Sequence, residues 1–369
     1  MASQARIWRH FDVWLLAAVA VLTISGVAMI QSAIADNPEL LELDVVGRQT
    51  LYALAGFTIL LLTAAIDYRL WSALAKPLYV FNLAFLALIP FAGVVGFGSA
   101  RWFQLATLTI QPSELAKILM ILVLADFFAR NEHVIRQPRT LIRSLLLTGL
   151  PLFLIFSQPD LSTSIVIGVI WVALLFAAGG NLKHLAALAG AGVLGSVALW
   201  PFLANYQKAR IVTFLFPDPA ARFGATYNVN QALISIGSGG WFGQGYGQGT
   251  QVQLRFLKVR HTDFIFSALS QEFGFIGAAL LLLLLMFVIF RCLRAAQNAR
   301  DTFGALICYG VAVLLLFQGS FNIGMNMNIF PVSGLPLPFL SYGGSSLLSS
   351  LLGIGLVESV ILRHKKIEL

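Results

Sequence analysis

Ten runs of apolar residues follow one another along the chain, at about 13–33, 48–66, 77–97, 112–129, 142–157, 162–179, 185–203, 264–290, 304–328 and 341–362. About 20 apolar residues cross the hydrocarbon core of a bilayer as a helix. The pattern predicts an all-α polytopic membrane protein of about ten transmembrane helices. The fifth run is short, and Gln158-Pro159-Asp160 interrupts it before the sixth. The first run has signal-peptide features, with Arg6, Arg9 and His10 before it and Ala33-Ile34-Ala35 at its end. A run of about 20 residues exceeds a signal-peptide core, so it reads as an uncleaved first span.

The polar intervals set an orientation. One set of short loops carries Arg69 and Lys76, Arg130, Arg136, Arg139 and Arg143, Lys183, and Arg291, Arg294 and Arg300. The chain ends carry Arg6 and Arg9, and Arg363, Lys365 and Lys366. The opposite loops are poor in cations, and the first holds Asp36, Glu39, Glu42 and Asp44. Cytoplasmic loops collect Lys and Arg, which predicts both termini in the cytoplasm. The interval 204–262 is long and external, yet basic, with Lys208, Arg210, Arg222, Arg255, Lys258 and Arg260 against Asp218. Long loops translocate largely regardless of charge. This one is expected to be partly ordered against the membrane, since it contains aromatics and the patterned piece 231–236. Residues 1–369 form a single integral membrane domain, without a soluble domain, a linker or a convincing internal repeat.

Composition agrees. Hydrophobic residues make up 58% of the 369 residues and charged residues 11%, with mean hydropathy +0.84. Soluble domains carry about 25% charged residues. The net charge is +8, but the cations lie between apolar runs, which speaks for membrane topology and against a nucleic-acid partner. Cys292 and Cys308 form no disulfide framework or metal-ligand spacing, and the histidines do not cluster.

Ionisable residues at membrane depth are costly and mark candidate function. Glu114 and Lys117 in QPSELAKI share a helix face, as a structural ion pair or as the wall of a polar cavity. Asp160 in QPDLSTS either caps the next helix or faces Lys117 across the bundle. In SARWF, Trp102 suits the aromatic belt, while Arg101 suits a phosphate contact. In KVRHTDFIFSALSQEFG, Asp263 stands where a helix dipole favours an acid, as a cap or as a catalytic base. The run GSGGWFGQGYGQG holds seven glycines between 237 and 249 and lacks the pattern of a nucleotide-binding loop. It reads as a flexible external loop able to approach a ligand. The stretch NIFPVSGLPLPFLSYGGSS, with Pro331, Pro336 and Pro338, reads as a re-entrant turn or a cavity rim.

Taken together, SARWF, QPSELAK, QPDLSTS, ISIGSGGWFGQGYGQGTQ, HTDFIFSALSQEFG and GLPLPFLSYGGSS, in this order, resemble the SEDS family of shape, elongation, division and sporulation proteins, typified by RodA and FtsW. QPDL and GLPLPF bring the chain nearer to RodA, the elongation branch. Ser162 departs from the glycine common there. The resemblance implies ten transmembrane helices and a peptidoglycan glycosyltransferase of the bacterial cytoplasmic membrane, which polymerises lipid II into β-1,4 glycan strands outside. It maps the family's essential acid onto Asp263, and its cavity residues onto Glu114, Lys117 and Asp160.

One sugar hydroxyl would displace a lipid diphosphate with inversion, which needs one carboxylate base. Diphosphate needs cations rather than an acid. Asp263 is the candidate base. Arg101, Glu114, Lys117, Asp160, Lys258, Arg260, His261, Ser345 and Ser346 are candidate substrate contacts. A divalent cation, Mg or Mn, is a candidate cofactor with Asp263 as a possible ligand, while no nucleotide or organic cofactor is implied. Implied partners are a class B penicillin-binding protein transpeptidase, other elongation-complex membrane proteins and membrane lipid. Two other readings fit some of the same residues: a flippase or transporter of lipid-linked precursors, and a non-catalytic scaffold of a cell-wall synthase.

Overall fold

The computed structural model describes residues 10–35, 38–96, 99–105, 108–217, 224–257 and 259–364. It is mostly helical. A helix lies on every one of the ten apolar runs: α1 (Val13–Ile34), α2 (Val45–Ala65), α3 (Ala75–Ala87), α4 (Pro112–Arg130), α5 (Pro138–Ser157), α6 (Leu161–Ala177) and α7 (Leu182–Leu199), then, after two helices of the long interval, α8 (Asn205–Leu215) and α9 (Gly224–Ser238), come α10 (Ile265–Gln297), α11 (Thr302–Asn326) and α12 (Gly344–Leu362). Among the described residues, six helices are long and apolar enough to cross a membrane: α1, α2 with the turn before it, α5, α10, α11 and α12.

The centre is α4. Residues on all its sides are buried, from Pro112 to Phe128, as befits a helix without a polar face. It packs against α3, α6, α11 and α12. Around it, α12 lies along α2, and α10 runs between α1 and α11.

One predicted boundary moves. The run at 77–97 stops being helical after Ala92. There Gly93, Val94 and Val95 open β1 (Val94–Gly96), which pairs antiparallel with β2 (Ser99–Leu105), and β2 pairs with β3 (Leu108–Ile110). Glycine and β-branched residues favour an extended chain. The small sheet carries Arg101 and Trp102 outside the helices. The long interval is ordered into α8, α9 and a short turn of helix (Thr250–Gln253), so much of it is packed rather than loose. The expected acids and cations at Asp36, Asp218, Arg6, Arg9, Arg222, Lys365 and Lys366 lie outside the described residues, and so does Lys258.

Part of the glycine-rich run packs against α10. Helix α10 is broken at Gly274, whose φ is 66°. The run docks its backbone into the break: the amides of Gln244 and Gly245 donate to the carbonyls of Gln271 and Glu272 (2.9 and 3.0 Å), and the amides of Phe275 and Ile276 donate to Gly240 and Trp241 (2.8 and 3.1 Å). A Cβ at Gly243, whose φ is +81°, would lie 2.1 Å from the Glu272 carbonyl oxygen. The close approach of Gly243 is thus to a neighbouring helix.

The charged positions of one loop set meet at one end of the bundle. Arg69 approaches Asp301, Arg363 approaches Asp67, Arg130 pairs with Asp126, and Arg291 pairs with Asp12.

Gly243→Ala is expected to cost about 1–3 kcal/mol, from backbone strain and overlap at a site that cannot yield. Gly237→Ala, where an added Cβ meets nothing within 4 Å, serves as the control. Thermal unfolding in detergent should show a lowered midpoint for the first variant only.

Candidate functional site

The stretch His261-Thr262-Asp263 is non-helical chain ahead of α10, and its carbonyls are all taken. The Asp263 carbonyl accepts from the side-chain amides of Asn322 and Asn326 in α11 (3.1 and 3.0 Å). Asn326 Oδ1 in turn accepts from Ser267 N–H and Oγ–H (3.2 and 2.6 Å). Ser341 Oγ donates to the Thr262 carbonyl (2.7 Å), and Tyr342 N–H to that of His261 (2.9 Å). The main chain of Asp263 is therefore fixed from two sides.

Its carboxyl is left for other work. The N-cap of α10 is Phe264, and no side chain caps the helix, so of the two readings of Asp263 a side-chain cap is not the one observed. The residue keeps part of its surface open, but protein crowds the carboxyl. Burial raises its pKa from 3.8 to about 6, against the pull of Arg210, whose positive charge favours the ionised form. Gly334 lies beside it, since a Cβ there would come within 3.9 Å of Asp263 Oδ2.

Arg210 links Asp263 to a cleft. From α8 its Nη1 donates to the Ser333 carbonyl (3.1 Å), which also accepts from Ser162 Oγ (2.6 Å). The cleft is lined by Arg101, Asp160, Ser162, Gln207, Arg210 and Ser333, with Ile165, Ile211 and Phe321. Arg101 donates from Nε to the Gln158 carbonyl (3.1 Å) and from Nη2 to that of Pro159 (2.7 Å). It thereby holds the turn that carries Asp160. Asp160 caps α6, accepting from Thr163 N–H on Oδ1 (3.2 Å), while Oδ2 accepts from Ser113 Oγ (3.1 Å) and Gln111 Nε2 (3.4 Å). Of the two readings of Asp160, capping is the one observed. Across the bundle it reaches Ser113, one turn short of Lys117.

The other candidates divide. Lys117 Nζ donates to Glu114 Oε1 at 2.8 Å, and both side chains are buried in α4; neither lines this cleft. Ser345 Oγ accepts from Gln111 N–H (2.8 Å) and donates to the Thr109 carbonyl (3.1 Å), tying α12 to the strand before α4. Ser346 is half-buried in the first turn of α12. Arg260 is buried, and its Nε–H is given to the carbonyl of Ala33 at the end of α1. His261 packs beside Tyr342. Burial and the neighbouring Arg260 lower its pKa to about 4, so it is neutral at pH 7 and is no cation for a diphosphate. The segment 328–343 folds inward, with Leu335, Leu337, Phe339 and Leu340 buried. That is the re-entrant reading, and its Ser333-Gly334 corner also forms the rim beside Asp263.

The residues missed were Arg210 as a cation acting on the Asp263 carboxyl, Gln207, and the pair Asn322 and Asn326. The pair had a signal: two amides four residues apart in an otherwise apolar helix need partners at membrane depth. Among the described residues, no three metal-ligating side chains cluster.

The family model of cell cycle proteins named for FtsW, RodA and SpoVE matches residues 12–366. The chain is 36% identical over 368 residues to "Probable peptidoglycan glycosyltransferase FtsW" of Thioalkalivibrio sulfidiphilus, covering 97% of this chain and 91% of that one. It is 36% identical over 361 residues to "Peptidoglycan glycosyltransferase MrdB" of Escherichia coli K12, covering 96% and 95%. Among solved structures it superposes with a TM-score of 0.80 and 30% identity on a chain described under "Structural coordination of polymerization and crosslinking by a peptidoglycan synthase complex", covering 96% and 98%. The crystal structure of the rod shape determining protein RodA of Thermus thermophilus gives 0.72 and 30%, covering 96% and 98%.

Arg101→Gln should strip the side-chain donor from the Gln158 carbonyl, while that of Pro159 keeps Gln207 Nε2 (3.3 Å). An unpaired buried acceptor costs about 1–3 kcal/mol, so a lowered thermal midpoint is expected. An unchanged midpoint would show that Arg101 does not hold the turn.

Proposed function

The chain belongs to the FtsW/RodA/SpoVE family of cell cycle proteins, and from that membership we propose how this multi-pass membrane protein works as a peptidoglycan glycosyltransferase: it polymerises lipid II into β-1,4 glycan strands at the outer face of the bacterial cytoplasmic membrane. Ten spans with both termini in the cytoplasm accompany this reading. So do a role in cell elongation and pairing with a class B penicillin-binding protein transpeptidase.

The observation that carries the proposal is the state of Asp263. Its main chain is clamped by Asn322 and Asn326, and its carboxyl has a pKa near 6 with Arg210 close by. A general base works best with a pKa near the operating pH. Asp263 accepts the proton of the 4-hydroxyl of one sugar as that oxygen attacks the anomeric carbon of another. The bond to the lipid diphosphate breaks on the opposite face and configuration inverts, as with inverting glycosidases. The departing diphosphate needs positive charge. Arg210 and Arg101 line the adjoining cleft, and Lys258 adds a third cation in sequence. Arg260 and His261 are not assigned this part, because one is turned to α1 and the other is neutral.

Purified protein with labelled lipid II tests the reading. Asp263→Ala should abolish polymer while the unfolding midpoint is kept. Polymer formed by the variant would sink the base assignment. Translocation of lipid II without polymer by the unmodified protein would favour the flippase reading, and neither activity would favour the scaffold.

The pH profile offers an independent check. A base titrating near pH 6 is lost on protonation, so kcat/KM should fall about tenfold per unit below that pH. Arg210→Gln removes the charge that holds the carboxyl down, and the acid limb should move to higher pH. A profile flat between pH 5 and 7 is the contrary result.

A further inference from the structure

At the charge-rich end of the bundle, remote from Asp263, the ends of three helices enclose a pocket of about 380 Å³. We propose that this pocket binds the headgroup of an anionic phospholipid of the cytoplasmic leaflet. The leaflet follows from the orientation read from the loop charges; the binding does not depend on the glycosyltransferase reading.

The walls come from the start of α1 and the ends of α10 and α12. Their polar part is Asp12, Arg291 and Arg294, with His10, Asn298 and His364. Arg291 is spent on Asp12, with its Nε 2.6 Å from Oδ2, and Asp12 N–H also donates to the buried Glu358 (3.2 Å). This inner network closes the floor. Above it Arg294 is exposed in the last turn of α10, with no partner for its guanidinium among the described residues. The rings of His10 and His364 meet edge to face at 5.3 Å on the opposite wall. In sequence the chain on either side is basic as well, with Arg6, Arg9, Lys365 and Lys366. Basic pockets between transmembrane helices on the cytoplasmic side suit lipid phosphates. The dipoles act both ways: the N-terminal end of α1 favours an anion, while the ends of α10 and α12 oppose it. Arg294 is placed to offset that opposition.

The other part of the lining is apolar and faces outward. Val13 and Trp14 are 65% and 73% exposed beside the pocket. A tryptophan belongs at the headgroup level of a bilayer. A free phosphate would use only the cations, whereas a lipid uses both walls, its phosphate at Arg294 and its upper acyl chain along Trp14. The volume lies within the range of small-molecule sites.

The test uses the full chain in neutral detergent, with thermal midpoint and native mass spectrometry as readouts. The probes are dioleoyl-phosphatidylglycerol, dioleoyl-phosphatidylcholine and inorganic phosphate. Phosphatidylglycerol is expected to bind and raise the midpoint, and phosphatidylcholine and phosphate to do neither at the same concentration. Arg294→Gln should weaken phosphatidylglycerol binding about fivefold, and Arg294→Gln with His364→Gln further, with lipid-free midpoints unchanged. Should that double variant lower the lipid-free midpoint, Trp14→Ala takes its place, with weaker lipid binding expected. Equal binding of phosphatidylcholine overturns the proposal, as does undiminished phosphatidylglycerol binding by the variants. A matching effect of inorganic phosphate would assign the pocket to a free anion instead.

Discussion

Backbone that leaves the helix at membrane depth has no water to bind, so protein must satisfy every N–H and C=O it exposes. That constraint organises this structure. Non-helical backbone meets the helices at Gln158-Pro159 between α5 and α6, at Thr262-Asp263 ahead of α10, at Gly274 within α10 and along 328–343 between α11 and α12, and each stretch has its own donors. Arg101 serves the first, Asn322, Asn326 and Ser341 the second, and the glycine-rich run the third. In the fourth, Asn322 Nδ2 also reaches the Leu335 carbonyl at 2.8 Å.

The same interruptions build the candidate site. A continuous helix would bury its carbonyls and leave nothing to collect polar side chains. A broken one draws in amides, hydroxyls and guanidiniums, which then stand beside any ligand that enters. Arg210, Ser162 and the Ser333 carbonyl are one example, and they lie between Asp160 and Asp263. Support and chemistry share the same few residues, so a variant there is expected to affect both.

The central helix α4 sets the limit. It is buried on all sides, and its Glu114–Lys117 pair spends both charges on each other. Two desolvated charges are tolerable only as a pair, and loss of either partner leaves the other stranded. The pair fixes how α4 sits, and α4 carries Ser113, which holds Asp160. The charged end of the bundle is laced by partly exposed ion pairs such as Arg69–Asp301 and Arg363–Asp67, where water shares the load and single pairs matter less, whereas Arg291–Asp12 is largely buried.

Hydrophobic runs of bilayer length determined the helices, because the membrane demands that length and hydrogen bonding demands a helix. Cation placement determined which loops share an end, and the motif residues determined the family. The sequence also marked Asp263, Asp160 and Arg101 as polar groups at the edges of apolar runs. What it could not decide was which partner each would take. Asp263 and Arg210 are far apart in the chain, and only packing of α8 against the inward-folded 328–343 segment puts Arg210 near Asp263. Arg260 looked as available as Arg210, yet it turned to α1 because a helix end there offered a carbonyl without a donor. The glycine run looked free because its glycines are permissive, but its use depended on a break in α10 that only Gly274's conformation discloses. Periodicity and composition report each segment's own preferences, whereas these pairings are settled by the distances between segments.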